Sequence, residues 1–164
     1  MTVISSHTDP EALTLTIVAE FNAGAERLWQ VWEDPRQLER WWGPPTYPAT
    51  FDSHDFVAGG KASYYMTGPD GDTSRGWSRF TAIKAPTNLE FDDGFAAEFG
   101  DPVDEMGITH GAVTLETIDG GSRMTMVSSF ESLDQLEKLV AMGMEEGIKE
   151  AMAQIVSVLD RSTV

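Results

Sequence analysis

The chain has 164 residues, of which 41% are hydrophobic and 23% charged, as is typical of a soluble globular protein that buries a core of its own. Its 27 acidic and 11 basic residues give a formal net charge of −16, which disfavours nucleic acid and anionic membranes as partners. The lack of cysteine excludes disulfides, thiolate metal ligands and a cysteine nucleophile.

The amino-terminal segment carries no targeting pattern. Residues 1–10 contain neither a basic region nor an apolar run, and no apolar stretch in the chain approaches the roughly 20 residues of a membrane span. We therefore expect a cytoplasmic protein with a flexible leader over residues 1–11 and a single domain over residues 12–160.

The start of this domain predicts one strand followed by two short helices. Residues 13–21 alternate between apolar and polar, as in a half-buried strand, and residues 25–32 change to helical spacing. Asp34 and Pro35 are typical of the start of a second helix, where aspartate caps the first turn and proline takes its first position. This helix is predicted to end at Gly43-Pro44-Pro45.

The middle of the chain predicts an antiparallel meander. Turn signals, among them Gly59-Gly60 and Asp93-Gly94, separate short β-type patterns. The predicted strands cover residues 46–57, 61–67, 75–84, 88–93, 110–118 and 123–130. Residues 95–109 lack a clear period and are too many for a hairpin turn, so we expect a lid, a binding loop or a mobile segment there.

The carboxy-terminal part predicts a long amphipathic helix. Ser132 and Gln135 match a capping box, and apolar residues keep helical spacing from there to Leu159. Gly143 and Gly147 each cost a helix about 1 kcal/mol relative to alanine, so we expect a kink, a break or close backbone packing at these positions.

Five segments, in this order along the chain, resemble one protein family. They are FNAGAERLWQVWEDPRQLERWWGPP from residue 21, VAGGKASYYMTGPDG from residue 57, GWSRFTAIKAPTNLEF from residue 76, GGSRMTMVSSF from residue 120 and MGMEEGIKEAMAQIVSVL from residue 142. The resemblance is to the START-like, helix-grip (SRPBCC) superfamily, and within it to the activator-of-Hsp90-ATPase-like or polyketide-cyclase-like branch. It implies an α+β helix-grip fold: a curved antiparallel sheet of about six to seven strands around a long carboxy-terminal helix, with two short helices after the first strand.

The resemblance also implies a hydrophobic cavity between the sheet and the last helix. Where the family often has Gly-Trp in that helix, this chain has Gly147-Ile148, so that either the smaller side chain enlarges the cavity or a neighbouring residue fills the room. Either Trp41 and Trp42 both anchor the core, or one of them lies at the cavity mouth, where an indole stacks on a flat ligand. The residues expected around the cavity are Trp42, Tyr64, Met66, Trp77, His110, Met144, Ile148 and Met152.

The sequence does not decide which face of the strand containing Trp77 points inward, because a shift of one residue exchanges the two faces. Trp77, Arg79 and Thr81 share a face, and if that face is the inner one, Arg79 needs a carboxylate partner such as Glu90 or Asp92. Otherwise Arg79 is solvated.

Three functions are compatible with these features. The favoured one is a binding module for a small apolar or aromatic molecule. The second is a cavity enzyme of the cyclase, dehydratase or hydrolase type, with Tyr64 and His110 as weak candidates for acid–base groups, or an inner carboxylate in that role. The third, suggested by the family name, is binding to an Hsp90-type chaperone. The scattered histidines predict no metal site, no cofactor is expected, and the oligomeric state, a homodimer included, stays open.

Overall fold

Residues 2–96 and 107–161 are described by the structure, a computed structural model. Their strands form one eight-stranded antiparallel sheet in the order β1-β2-β8-β7-β6-β5-β4-β3. The strands are β1 (Thr2–Asp9), β2 (Thr14–Phe21), β3 (Ala49–His54), β4 (Lys61–Thr67), β5 (Thr73–Lys84), β6 (Asn88–Ala96), β7 (Thr109–Ile118) and β8 (Gly121–Ser129). The α+β helix-grip prediction is confirmed, with a strand count slightly above the six to seven expected.

The extra strand comes from the segment predicted to be a flexible leader. Thr2–Asp9 pairs antiparallel with β2 and forms an edge of the sheet, so the prediction of a loose segment over residues 1–11 is wrong for this stretch. Main-chain hydrogen bonds to the open edge of β2 hold such a strand, and a polar sequence gives little sign of them.

Two short helices follow β2, as predicted. They are α1 (Ala25–Glu33) and α2 (Pro35–Trp41), and the Asp34 side chain caps α2 by accepting a hydrogen bond from the Arg36 backbone N–H at 2.9 Å. Both helices bury tryptophans and leucines in the core that they share with the sheet. The corner after α2 is held by Gln154, whose side-chain amide donates to the Gly43 carbonyl at 2.6 Å.

The predicted long carboxy-terminal helix is divided into three segments. These are α3 (Leu133–Ala141), α4 (Met144–Ala153) and α5 (Ile155–Arg161). The first break is at Gly143, whose φ of +91° lies in the left-handed region that glycine adopts without a steric penalty. Gly147 lies inside α4 instead, and a β-carbon placed there would have no atom within 4 Å, so the expected break or close packing at this glycine is absent.

One predicted turn is wrong, because β6 continues through Asp93-Gly94 to Ala96. Gly94 lies opposite Trp77 on β5, and a β-carbon at Gly94 would come within 2.9 Å of the Trp77 indole nitrogen. This glycine makes room for an aromatic ring and forms no turn. The predicted loop over residues 95–109 overlaps the end of β6 and the start of β7, and its part from 97 to 106 lies outside the described residues.

Candidate functional site

A cavity of about 300 Å³ lies between the concave face of the sheet and the helices α3 and α4. The sheet contributes inward-facing residues of β4 to β8, and α4 contributes Met144, Gly147, Ile148 and Ala151. Most of these side chains are apolar. Met142, which is 64% exposed and also borders the cavity, marks its solvent side at the α3–α4 junction.

Two glycines on the sheet give the cavity aromatic walls. Gly76 is the cross-strand partner of Tyr64, and a β-carbon at Gly76 would lie 2.5 Å from the Tyr64 ring and hydroxyl. Gly111 has the same relation to Phe91, with 2.6 Å to the ring. Because a side chain at either position would collide with the opposite ring, the glycines allow both rings to lie flat across the neighbouring strand.

The two adjacent tryptophans have different roles. Trp41 is 2% exposed, and its indole N–H donates to the Val31 carbonyl at 2.9 Å, which anchors α2 to α1. Trp42 is only partly buried, and its ring centroid lies 6.0 Å from that of Tyr64 and 5.9 Å from that of Phe91. Both tryptophans border the cavity, Trp41 as a buried anchor of the core and Trp42 as a partly buried wall.

A polar cluster lies within this aromatic frame. The Tyr64 hydroxyl donates to Asp93 Oδ1 at 3.0 Å, and the Ser78 hydroxyl lies 3.5 Å from the same oxygen. The indole N–H of Trp42 is buried and directed at the Tyr64 hydroxyl. A phenol, a carboxyl group and an indole N–H therefore meet in a mainly apolar space.

Burial changes the acid–base properties of this cluster. Loss of water around the Asp93 carboxyl raises its pKa to about 7, although the hydrogen bond from Tyr64 acts in the opposite direction. Burial, with the charge of Asp93, also raises the pKa of Tyr64. Near neutral pH, Asp93 is therefore close to half-protonated while Tyr64 stays neutral.

The cation that borders the cavity, Arg75, is engaged elsewhere. Its guanidinium forms an ion pair with Asp52 and lies 5.3 Å from the Tyr65 ring centroid, on the outer side of the sheet. Among the described lining residues, Tyr64, Arg75 and Asp93 are the ionisable ones. Asp93 is thus a carboxyl group without a cationic partner among them.

Five of the eight residues predicted around the cavity border it in the structure. They are Trp42, Tyr64, Met66, Met144 and Ile148. Met152 does not border it and packs in the hydrophobic core. The buried residues of β5 are Gly76, Ser78 and Phe80, so Trp77 and Arg79 face outward and Arg79 is exposed to solvent. The placement of Trp77 in the cavity is therefore wrong by one residue of strand facing.

His110 also lies on the outer face. Its Nδ1 is 2.9 Å from Asp92 Oδ1 and its Nε2 is 3.0 Å from Glu90 Oε1, and these partners raise the pKa of the imidazole. The carboxylates considered as partners for Arg79 are thus the partners of His110. The acid–base candidate that faces the cavity is therefore Asp93 and not His110.

Asp93 is the residue that sequence reasoning missed. Leu89 and Phe91 are buried and Asp93 follows at the same alternation, which is the signal that predicts an inward carboxyl. The Asp-Gly dipeptide concealed it, because Asp-Gly is a common turn signal.

Other residues of the described chain offer less for a functional site. In residues 2–96 and 107–161, no three His, Cys, Asp or Glu side chains are grouped so that they can hold a metal ion. None of the helices described there has the length and apolar character of a membrane span. His54 packs against Phe51, Phe56 and Phe80, and burial lowers its pKa, as for a core histidine.

The sequence profile of one family, the activator of Hsp90 ATPase homolog 1-like proteins, matches residues 22–160. The chain belongs to this family. The solution structure of a protein from Arthrobacter aurescens is similar to it, with 61% identity and a TM-score of 0.94 over 98% of this chain and 93% of that one. A Mycobacterium smegmatis protein, Ms6760, shares 42% identity with a TM-score of 0.89, over 96% and 97% of the two chains.

The fold extends to more distant proteins. A Rhodobacter sphaeroides protein is 21% identical with a TM-score of 0.81, over 98% of each chain, which shows a shared fold and no more. No curated protein matches the sequence significantly. Membership of the Hsp90 ATPase activator homolog-like family therefore explains the architecture, whereas the chemistry depends on the residues of the cavity.

Proposed function

We propose that this protein binds a small, flat, mainly apolar molecule in the cavity between the sheet and α4. The observation that carries the proposal is the cavity of about 300 Å³ with walls formed by Trp42, Tyr64 and Phe91. Binding pockets start at about this size, and an engineered apolar cavity of about 150 Å³ already takes up benzene. A ligand of about two fused rings matches the space.

The polar cluster supports a specific ligand orientation. In mostly apolar pockets, a few fixed polar groups determine which way a ligand lies. Tyr64 and Asp93 form such a pair, and the Gly76 space behind the Tyr64 ring holds it in place.

The proposal is tested with N-phenyl-1-naphthylamine, a neutral probe whose fluorescence rises in apolar surroundings. We expect saturable uptake by the parent protein and a loss of at least about tenfold in affinity for Ile148→Trp, whose indole would fill the cavity from α4. Ala153→Trp is the matched control, since it adds the same side chain to an exposed position of the same helix.

Thermal unfolding separates a filled cavity from a damaged protein. A probe at 100 times its dissociation constant stabilises the parent by about 2.7 kcal/mol, which a melting curve readily detects. Ile148→Trp should melt near the parent temperature without probe, because its side chain enters empty space. If the parent takes up no probe and Ile148→Trp loses about 1–3 kcal/mol, the site is a filled core and the proposal fails.

A second function, acid–base catalysis in the same cavity, is favoured by one observation. Asp93 has a pKa of about 7 and lies 3.0 Å from the Tyr64 hydroxyl, which suits a general acid or base near neutral pH. Mass analysis of a bound ligand after long incubation tests it: conversion that Asp93→Asn abolishes supports an enzyme, and an unchanged ligand supports the binding module. Chaperone binding rests on the family name alone, so we do not propose it.

A further inference from the structure

The Asp93 carboxyl group has an unusual position, because it is an acid facing an apolar cavity and none of the lining residues that the structure describes pairs it with a cation. In the described lining, the cationic side chain is Arg75, and it is already paired with Asp52 beside the Tyr65 ring. A buried carboxylate without a partner is expensive, and proteins normally supply a cation, a proton or a set of hydrogen bonds.

The hydrogen bonds around Asp93 leave part of the carboxyl group available. Hydroxyl donors from Tyr64 and Ser78 are directed to Oδ1 at 3.0 Å and 3.5 Å, and the Gly94 backbone N–H also donates to the carboxyl group. The second oxygen receives neither hydroxyl. A ligand that donates to this carboxyl group would therefore add to the existing hydrogen bonds without displacing them.

The surrounding rings are suited to a positive charge. Trp42 lies beside both Tyr64 and Phe91, and aromatic faces attract ammonium groups, most strongly away from water. The net charge of −16 also raises the local concentration of cations around the whole protein. A ligand carboxylate or phosphate would be repelled both by the aromatic faces and by the net negative charge of the protein.

From these observations, and resting on the ligand-binding function proposed above, we propose that the ligand is an aromatic amine cation whose protonated amino group pairs with Asp93 while its rings occupy the space next to Trp42 and Phe91. The amino group meets the Asp93 carboxylate by a charge-assisted hydrogen bond. Tyr64 and Ser78 are positioning residues, because their hydroxyls hold the carboxyl group towards the cavity.

Three naphthalene compounds of nearly equal size test this inference. They carry one substituent each: an aminomethyl group, which is cationic at pH 7.5, a hydroxymethyl group, which is neutral, and a carboxylate. Isothermal calorimetry measures each against the parent protein, Asp93→Asn and Asp92→Asn. Asp92→Asn is the matched control, because it removes one negative charge from the neighbouring position on the outer face of β6.

We expect the parent to bind the amine about tenfold or more tightly than the alcohol, the range for a hydrogen bond to a charged group, and the carboxylate most weakly. Asp93→Asn should remove the preference for the amine while keeping the affinity for the alcohol. Asp92→Asn should keep the preference.

The outcomes separate this inference from the function on which it rests. If no compound binds, the binding function itself fails. If the alcohol binds as tightly as the amine, or if Asp93→Asn leaves the preference for the amine intact, the cationic ligand is wrong and the binding function stands. A preference for the alcohol that Asp93→Asn abolishes would mean a neutral ligand held by Asp93, which also overturns the inference. The comparison within the parent protein decides even if Asp93→Asn does not fold.

Discussion

Replacing Asp93 with asparagine should raise the stability of the protein relative to the parent as the pH rises from 5 to 8. The folded state holds the Asp93 carboxyl at a pKa of about 7, against an ordinary value of 3.8, mainly because burial disfavours the charged form. Between these two values the folded protein binds a proton that the unfolded chain does not. Stability from this group is therefore complete below pH 3.8 and is lost as the pH rises through 7.

The size of this effect follows from the two pKa values. The full difference corresponds to about 4 kcal/mol, and about 2–3 kcal/mol of it falls between pH 5 and pH 8. Asparagine has nearly the same shape and still accepts the hydrogen bond from Tyr64, but it does not ionise. The stability of Asp93→Asn relative to the parent should therefore rise by about 2–3 kcal/mol over this interval.

Urea unfolding of both proteins at pH 5, 6, 7 and 8 measures the effect, and melting temperatures should show a relative gain of about 5–10 °C at pH 8. The titrations of His54 and His110 are shared by both proteins and cancel in the difference. Asp119→Asn is the control, because it removes a carboxylate from an exposed turn in which asparagine is equally suitable. A difference between parent and Asp93→Asn that stays constant from pH 5 to pH 8 would refute the burial argument.

Two further predictions concern the sheet. Gly76→Ala should destabilise the protein by about 1–3 kcal/mol in urea unfolding, because the new β-carbon would lie 2.5 Å from the Tyr64 hydroxyl. Gly120→Ala, at an open turn position, is the control: it tests whether backbone strain alone gives the same loss when a glycine is replaced. In NMR titrations, His110 should titrate above its ordinary value of 6.5 and His54 below it, so that His110 favours the folded state at low pH and His54 opposes it. Equal midpoints for the two histidines would contradict the contacts described for them.

Much of the fold was predictable because it depends on local sequence patterns. The alternation over residues 61–67 predicts β4 with the bounds that the structure has, and Asp34-Pro35 predicts the start of α2. The capping serine of α3 was predictable for the same reason, since Ser132 accepts from the Gln135 backbone N–H within one turn. Contacts between residues close in the chain depend little on the rest of the molecule.

The site was less predictable, because it depends on which way each strand faces. A shift of one residue exchanges the inner and outer faces of a strand, and this shift moved Trp77 out of the cavity. Asp93 was missed for a related reason: the segment predicted as a turn at Asp93-Gly94 is a continuation of β6, and this places the Asp93 side chain in the cavity. Met152 lies on the apolar face of the carboxy-terminal helices, as predicted, but this face extends beyond the part that borders the cavity.

By itself, the sequence determined the order of the elements from β2 to β8, the family and the presence of an apolar stripe that a sheet must cover, because periodicity and capping act over a few residues. Only the tertiary structure decided that the Asp93 carboxyl meets the Tyr64 hydroxyl, 29 residues away along the chain, and that the cation among the described lining residues, Arg75, pairs with Asp52 instead. The physical reason is that strand register sets these distances and burial sets the pKa of Asp93, and both arise only when the sheet closes over the helices.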